Sequence, residues 1–199
     1  MLTYSRHSEI PLDLCNATGI EAIANDVARR GCDLRLVVDA TGVLEGDGCI
    51  AEKTWRQIDS AAMARAFAIN AIGPALLMKN FLPLLPRAGK SVFATLSARV
   101  GSISDNRLGG WYSYRASKAA LNQIVRTAAI ELQRIRPAAI CVAIHPGTVD
   151  TRLSNPFAKT GLEVQTPAAA AQRVIGVLDA LAPASTGSFI DQHGKCIGW

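Results

Sequence analysis

Residues 111–123, WYSYRASKAALNQ, set a phenol at Tyr114 four positions ahead of an ammonium at Lys118. On a helix, positions i and i+4 share a face, so both side chains can enter one cleft. A free phenol titrates near pH ~10, too high for useful proton exchange at neutral pH. A neighbouring cation favours the phenolate and lowers that value by roughly 1–3 units. A tyrosine tuned in this way gives a proton to a carbonyl oxygen or takes one from an alcohol. The spacing alone occurs on many exposed helices, so its meaning depends on the elements that position it.

Those elements read as α/β. IPLDL (10–14) predicts a short strand, and TGIEAIANDVARRG predicts a helix with a Thr18–Glu21 capping box and Gly31 at its C′ position. LRLVVDA (34–40), KSVFATLS (90–97) and AAICVAI (138–144) predict buried strands. Long helices are expected over about 59–83 and 112–134. Thr166-Pro167 opens a last helix, and GSFI (187–190) closes the sheet. In a parallel sheet of crossover units, ligands sit at the carboxyl ends of the strands. Functional residues are therefore expected just after LVVDA, FATLS and CVAIH.

Bulk properties narrow the function classes. The chain has 199 residues, 49% hydrophobic and 19% charged, which suits one domain over 1–199 with a sizeable core. Its net charge of +5 is spread without a basic run or interleaved aromatics, so no nucleic-acid partner is expected. Apolar runs such as NAIGPALLMKNFLPLLP are broken by Pro and Lys before the length of a membrane span, and no membrane association is expected. Five scattered cysteines lack C-x-x-C spacing, and MLTYSRHSEIPLD has no apolar signal core. A reduced, cytoplasmic protein without a metal site is the expectation.

The helix bearing Tyr114 resembles the active-site helix of the short-chain dehydrogenase/reductase family, Y-x-x-[ST]-K, here Tyr114-Arg115-Ala116-Ser117-Lys118. LVVDATGVL resembles the family's N-N-A-G strand end, with Asp39-Ala40-Thr41-Gly42 in that place. FAINAIGP resembles its N-x-x-G segment and puts Asn70 on the catalytic asparagine. FATLSARVGS resembles the strand that delivers the catalytic serine, and HPGTVDT (145–151) the P-G motif at the nicotinamide. RLGGWYSYRASKAALN and GSFIDQHGKCIGW are most similar to the branch that includes the C-factor signalling proteins.

The resemblance implies a Rossmann-like, doubly wound, mainly parallel sheet with helices on both faces. Tyr114 would donate the proton in carbonyl reduction, and Lys118 would lower its pKa and hold the nicotinamide ribose. Asn70 would steady a water that links Lys118 to solvent. Ala40, Thr41, Gly42, Pro146, Gly147, Thr148, Val149 and Thr151 would contact the cofactor. LTYSRH resembles the second family strand, where Arg6 meets the 2′-phosphate of NADP(H), expected in preference to NAD(H). Asp13 and Leu14 would flank the adenine. The helices over 59–83 and 112–134 would build a homodimer or homotetramer contact through Ala116, Ala119, Ala120, Ala128 and Ala129. The loop 152–165, with Phe157 and Leu162, would line the pocket for a small carbonyl or alcohol substrate.

The sequence departs from the family pattern in three places. Ala98 stands where the family has its substrate-orienting serine; Ser97, one place earlier, is the candidate, with Ser102 as the weaker one. No glycine-rich strand-loop-helix unit precedes LTYSRH, so the domain reads as N-terminally truncated. TGVLEGDG (41–48) fits T-G-x-x-x-G-x-G literally but opens no helix pattern, and a surface turn is expected there. Asp39 and Thr41 put a negative charge and a larger side chain beside the cofactor. An NADP(H)-dependent reductase is the first reading; a non-catalytic signalling or partner-binding protein on the same shell is the second.

Overall fold

The structure, a computed structural model, describes residues 1–151, 153 and 164–199. Four strands form one parallel sheet in the order β1 (Leu36–Asp39), β2 (Ser91–Leu96), β3 (Ala139–His145), β6 (Phe189–Asp191). A separate two-stranded pair joins β4 (Thr148–Val149) to β5 (Val164–Gln165). The helices are α1 (Ala17–Arg29), α2 (Ser60–Phe67), α3 (Gly73–Phe81), α4 (Tyr112–Ile135) and α5 (Pro167–Ala180).

Alternation along the strands builds two cores. Phe93, Cys141, Ala143 and Phe189 face a layer that includes Ile20, Ile23, Leu77, Leu121 and Val125 from α1, α3 and α4. Val92, Ala94, Ile140, Val142, Ile144 and Ile190 face Val174 and Leu178 of α5. Helices therefore cover both faces, the doubly wound arrangement expected. Coverage stops at β1, an edge strand whose Leu36 and Val38 are 42% and 40% exposed.

The N-terminal strands do not form: among residues 1–15 there is no strand at LTYSRH or IPLDL. An extended segment becomes a strand only when a neighbour satisfies its backbone groups, and none of the four strands pairs with it. Side chains fasten this segment instead. Tyr4 Oη donates to Asp26 Oδ2 at 2.7 Å, while Ile10 and Leu12 pack on the main core. The N-cap of α1 is also corrected: Asn16 Oδ1 accepts from Gly19 N, and Thr18 donates to that same oxygen. Thr166 caps α5 as expected.

The helix predicted over 59–83 is one run of mixed winding. A π turn at Ala68–Ile72, where Gly73 N donates to Ala68 O, separates α2 from α3. Pro74 follows directly and has no N–H to continue an ordinary ladder. Contrary to the sequence expectation, Ser60–Leu84 is long and apolar enough to cross a membrane, at mean hydropathy 1.4; in the fold 44% of its most apolar window is buried inside the protein. The loop 41–48 is a turn, closed by a bridge between Gly46 and Cys49, and opens no helix.

Candidate active site

The carboxyl ends of β1 and β2 and the first turns of α4 converge on Tyr114 and Lys118. Tyr114 is 7% exposed inside a collar of Leu44, Ala51, Ala98, Val100 and Trp111. Its hydroxyl makes no hydrogen bond among the described residues. Lys118 Nζ lies 5.9 Å from the Tyr114 ring centroid and donates to Leu96 O at 2.8 Å. Gly101 allows this packing, because a Cβ there would stand 2.8 Å from Lys118 Cβ.

The electrostatics correct one expectation. Burial pushes the Tyr114 phenol up, because the apolar collar withholds water from a phenolate. The same burial pulls Lys118 down to about 8, while the Asp39 carboxylate partly holds its charge in place. In the free protein, desolvation therefore outweighs the lysine's pull on the tyrosine. Asp39 itself is held by Thr95 Oγ1 at 2.7 Å and by the Thr41 N–H and hydroxyl at 3.0 and 2.5 Å.

Asn70 lies in the π turn, where wider winding aims a fully buried amide at the end of β1. Its Oδ1 accepts from Val43 N at 2.9 Å, and its Nδ2 donates to Val43 O at 2.8 Å and Ser117 Oγ at 3.1 Å. The amide thus clamps the backbone after Gly42. Gly42 completes the floor, since a Cβ there would lie 3.4 Å from Lys118 Nζ and 3.5 Å from Asn70 Oδ1.

Residues 3–184 match the protein family described as enoyl-(acyl carrier protein) reductase. The chain is 38% identical to the C-signal of Myxococcus xanthus over 144 residues, 71% of this chain and 81% of that protein. It is 31% identical over 188 residues to a 1-hydroxy-2-glutathionyl-2-methyl-3-butene dehydrogenase of Rhodococcus sp. (strain AD45), covering 94% of this chain and 78% of the relative. The chain belongs to the short-chain dehydrogenase/reductase family. Among solved structures, the NADPH-bound carbonyl reductase from chicken fatty liver superposes with TM-score 0.83 at 29% identity, over 96% of this chain and 76% of that one.

Within this short-chain dehydrogenase/reductase, the two residues that follow β2 divide between two environments. Ser97 is buried and donates to Asn122 Oδ1 at 2.7 Å, while Ala98 packs against the cluster that holds Tyr114. One step along an extended backbone reverses a side chain, and Ala98 is extended, at φ −143° and ψ 143°. Ser102 is committed to Gly198 O. Ala40, Thr41 and Gly42 follow β1 at the cleft, with Ala40 and Gly42 exposed. Pro146, Gly147, Thr148 and Val149 follow β3 half-buried, with Pro146 O accepting from Gln165; Thr151 is exposed.

The adenine-side candidates each have a partner within the chain. Arg6 pairs with Asp47 at 3.1 Å, and Asp13 Oδ1 accepts from Cys15 N. Leu14 is a core residue, pressed against Gly73 of α3. Phe157 and Leu162 lie outside the described residues. Sequence reasoning missed Glu52, which is fully buried and bonded to Ser113 at the start of α4.

His145, the last residue of β3, has an Nδ1 that is buried without a partner among the described residues. Burial and Arg99 lower its pKa to about 4, against a smaller opposing pull from Asp191. The unfolded chain binds the extra proton between about 4 and the ordinary value of 6.5, so stability rises with pH across that window. Thermal melts from pH 4 to 7 are expected to show the rise, and His145→Gln to flatten it. An unchanged slope in the variant would assign the effect elsewhere.

Proposed function

We propose that this chain is an NADP(H)-dependent reductase of a small carbonyl compound, with Tyr114 as proton donor. The observation that carries the reading is a buried tyrosine whose hydroxyl has no partner among the described residues, one turn from a buried ammonium. The residues present fit a nicotinamide cofactor: Gly42 leaves an open floor beside Lys118 Nζ, at the carboxyl edge where such ligands bind. Lys118, Gly42, Ala40 and the 146–149 stretch would hold it, and when bound it supplies the hydride.

The remaining chemistry belongs to the chain. Lys118, fixed by Leu96 O, presents a positive charge to the phenol and stabilises it as its proton leaves. Asp39 counters the loss of that charge on burial. The collar of Leu44, Ala51 and Trp111 excludes water, which strengthens each of these interactions. NADP(H) rather than NAD(H) is favoured by the NADPH in the chicken carbonyl reductase.

A homodimer in the cytoplasm completes the reading. A groove of about 520 Å³ between α3 and α4, lined by Met78, Leu82, Ile124 and Ile135 among others, supports it. Of the small residues expected there, Ala129 lies in the intramolecular core instead. A second reading, a non-catalytic signalling protein, is favoured by Ala98 and by the likeness to the C-signal.

Titration with NADPH, followed by nicotinamide fluorescence, separates the two. Saturable binding is expected, weakened about tenfold or more in Lys118→Ala, the loss of roughly 1.4 kcal/mol of interaction. A folded chain that binds no NADPH would remove the reductase reading.

A further inference from the structure

We propose that Glu52 is a positioning residue for Tyr114, fastening the first turn of α4 from the loop that follows β1; the inference rests on the reductase reading. A helix begins with backbone N–H groups that lack intrahelical partners. Helix α4 opens at Trp111, in the left-handed region at φ 51°, with no side-chain cap of its own. Glu52 fills that role from 61 residues away: its carboxylate oxygens lie 3.3 and 3.2 Å from Ser113 N and accept from the Ser113 hydroxyl. The Glu52 backbone carbonyl accepts from Trp111 N at 2.5 Å. One residue thus grips both ends of the 111–113 segment.

The placement is costly, which argues for a purpose beyond capping. Glu52 is 0% exposed, and a carboxylate taken out of water needs full compensation. The positive end of the helix supplies part of it. A serine or aspartate at position 111 would cap the helix locally without burying a distant charge. What the distant cap adds is a tie between two walls of the site. Next to Glu52, Ala51 packs on Tyr114, and Lys53 Nζ lies 5.9 Å from the Trp111 ring centroid. The 51–53 strap therefore sets both the collar around the phenol and the turn that carries it. Tyr114 is the next residue after Ser113, so slack at the cap moves its hydroxyl directly.

The test compares Glu52→Ala, Glu52→Asp and Glu52→Gln with the unaltered chain, using para-nitrobenzaldehyde and NADPH. A misplacement of about 1 Å at the reacting group costs roughly 100-fold, so Glu52→Ala is expected to lose kcat on that scale while NADPH affinity stays within about twofold. Glu52→Gln keeps an acceptor at the same reach and is expected to restore most of kcat. Hydrogen exchange at 111–116 should speed up in Glu52→Ala and stay slow in Glu52→Gln. Should Glu52→Ala fail to fold, Glu52→Asp, shorter by one methylene, is expected to show the same two effects in smaller measure.

Wild-type kcat in a folded Glu52→Ala chain, or unchanged exchange at 111–116, would overturn the proposal. So would a parallel fall of kcat and NADPH affinity, the mark of a general structural role. If the unaltered chain binds NADPH but reduces nothing, the reductase reading fails, and the exchange pattern alone decides the anchoring.

Discussion

Replacing Tyr114 by phenylalanine is expected to lower kcat for aldehyde reduction by roughly 10²–10⁴-fold, the range removed with a general acid. The change deletes one oxygen from a side chain that is 7% exposed. That oxygen bonds to nothing among the described residues, so no internal hydrogen bond is lost and the collar of Leu44, Ala51 and Ala98 keeps its packing. Stability and NADPH affinity should therefore stay close to those of the unaltered chain, and the loss should fall on kcat rather than on KM. Steady-state kinetics with a thermal melt on the same samples would check this. Activity within tenfold of the unaltered chain, in a folded Tyr114→Phe, would exclude the phenol as proton donor.

The second large effect is a gain. Ala98→Ser is expected to raise kcat about tenfold or more, since a hydrogen-bond donor aimed at a developing oxyanion is worth roughly 10²–10³-fold where one has been removed. Ala98 has extended backbone geometry (φ −143°, ψ 143°), and its side chain packs in the Tyr114 collar. A hydroxyl on its Cβ enters the cleft beside the phenol without a change of backbone. Ser97→Ala, by contrast, should leave kcat alone and cost about 1 kcal/mol of stability through the lost bond to Asn122. The opposite pattern, with activity lost in Ser97→Ala and none gained in Ala98→Ser, would return Ser97 to the site.

The parts of the site that rest on short-range spacing were legible. Tyr114 and Lys118 needed only a helix, and Gly42 and Asn70 needed only the elements on either side of them. The sheet from β1 onward was legible because buried parallel strands read as apolar runs. The first 15 residues were not, because strand formation is decided by a neighbour rather than by the segment. The direction of the Tyr114 shift was hidden for a similar reason. Its collar comes from Leu44, Ala51 and Ala98, on the loops after β1 and β2, and burial there outweighs the charge one turn away. Glu52 carried no motif at all, since its partner lies 61 residues further on.

The edge position of β1 has a thermodynamic consequence for the site it borders. The strand pairs on one side only, and two of its four side chains, Leu36 and Val38, face water. Proteins open first where buried contacts and shielded backbone bonds are fewest, so β1, paired on one side, is expected to open ahead of β2 and β3, which are paired on both. The Asp39–Thr95 bond and the Gly42 floor hang from that strand and come and go with it. A ligand that needs them in place binds only the closed population, and its measured affinity includes the free energy of keeping β1 shut. Tightening that strand would strengthen binding without touching a single contact to the ligand.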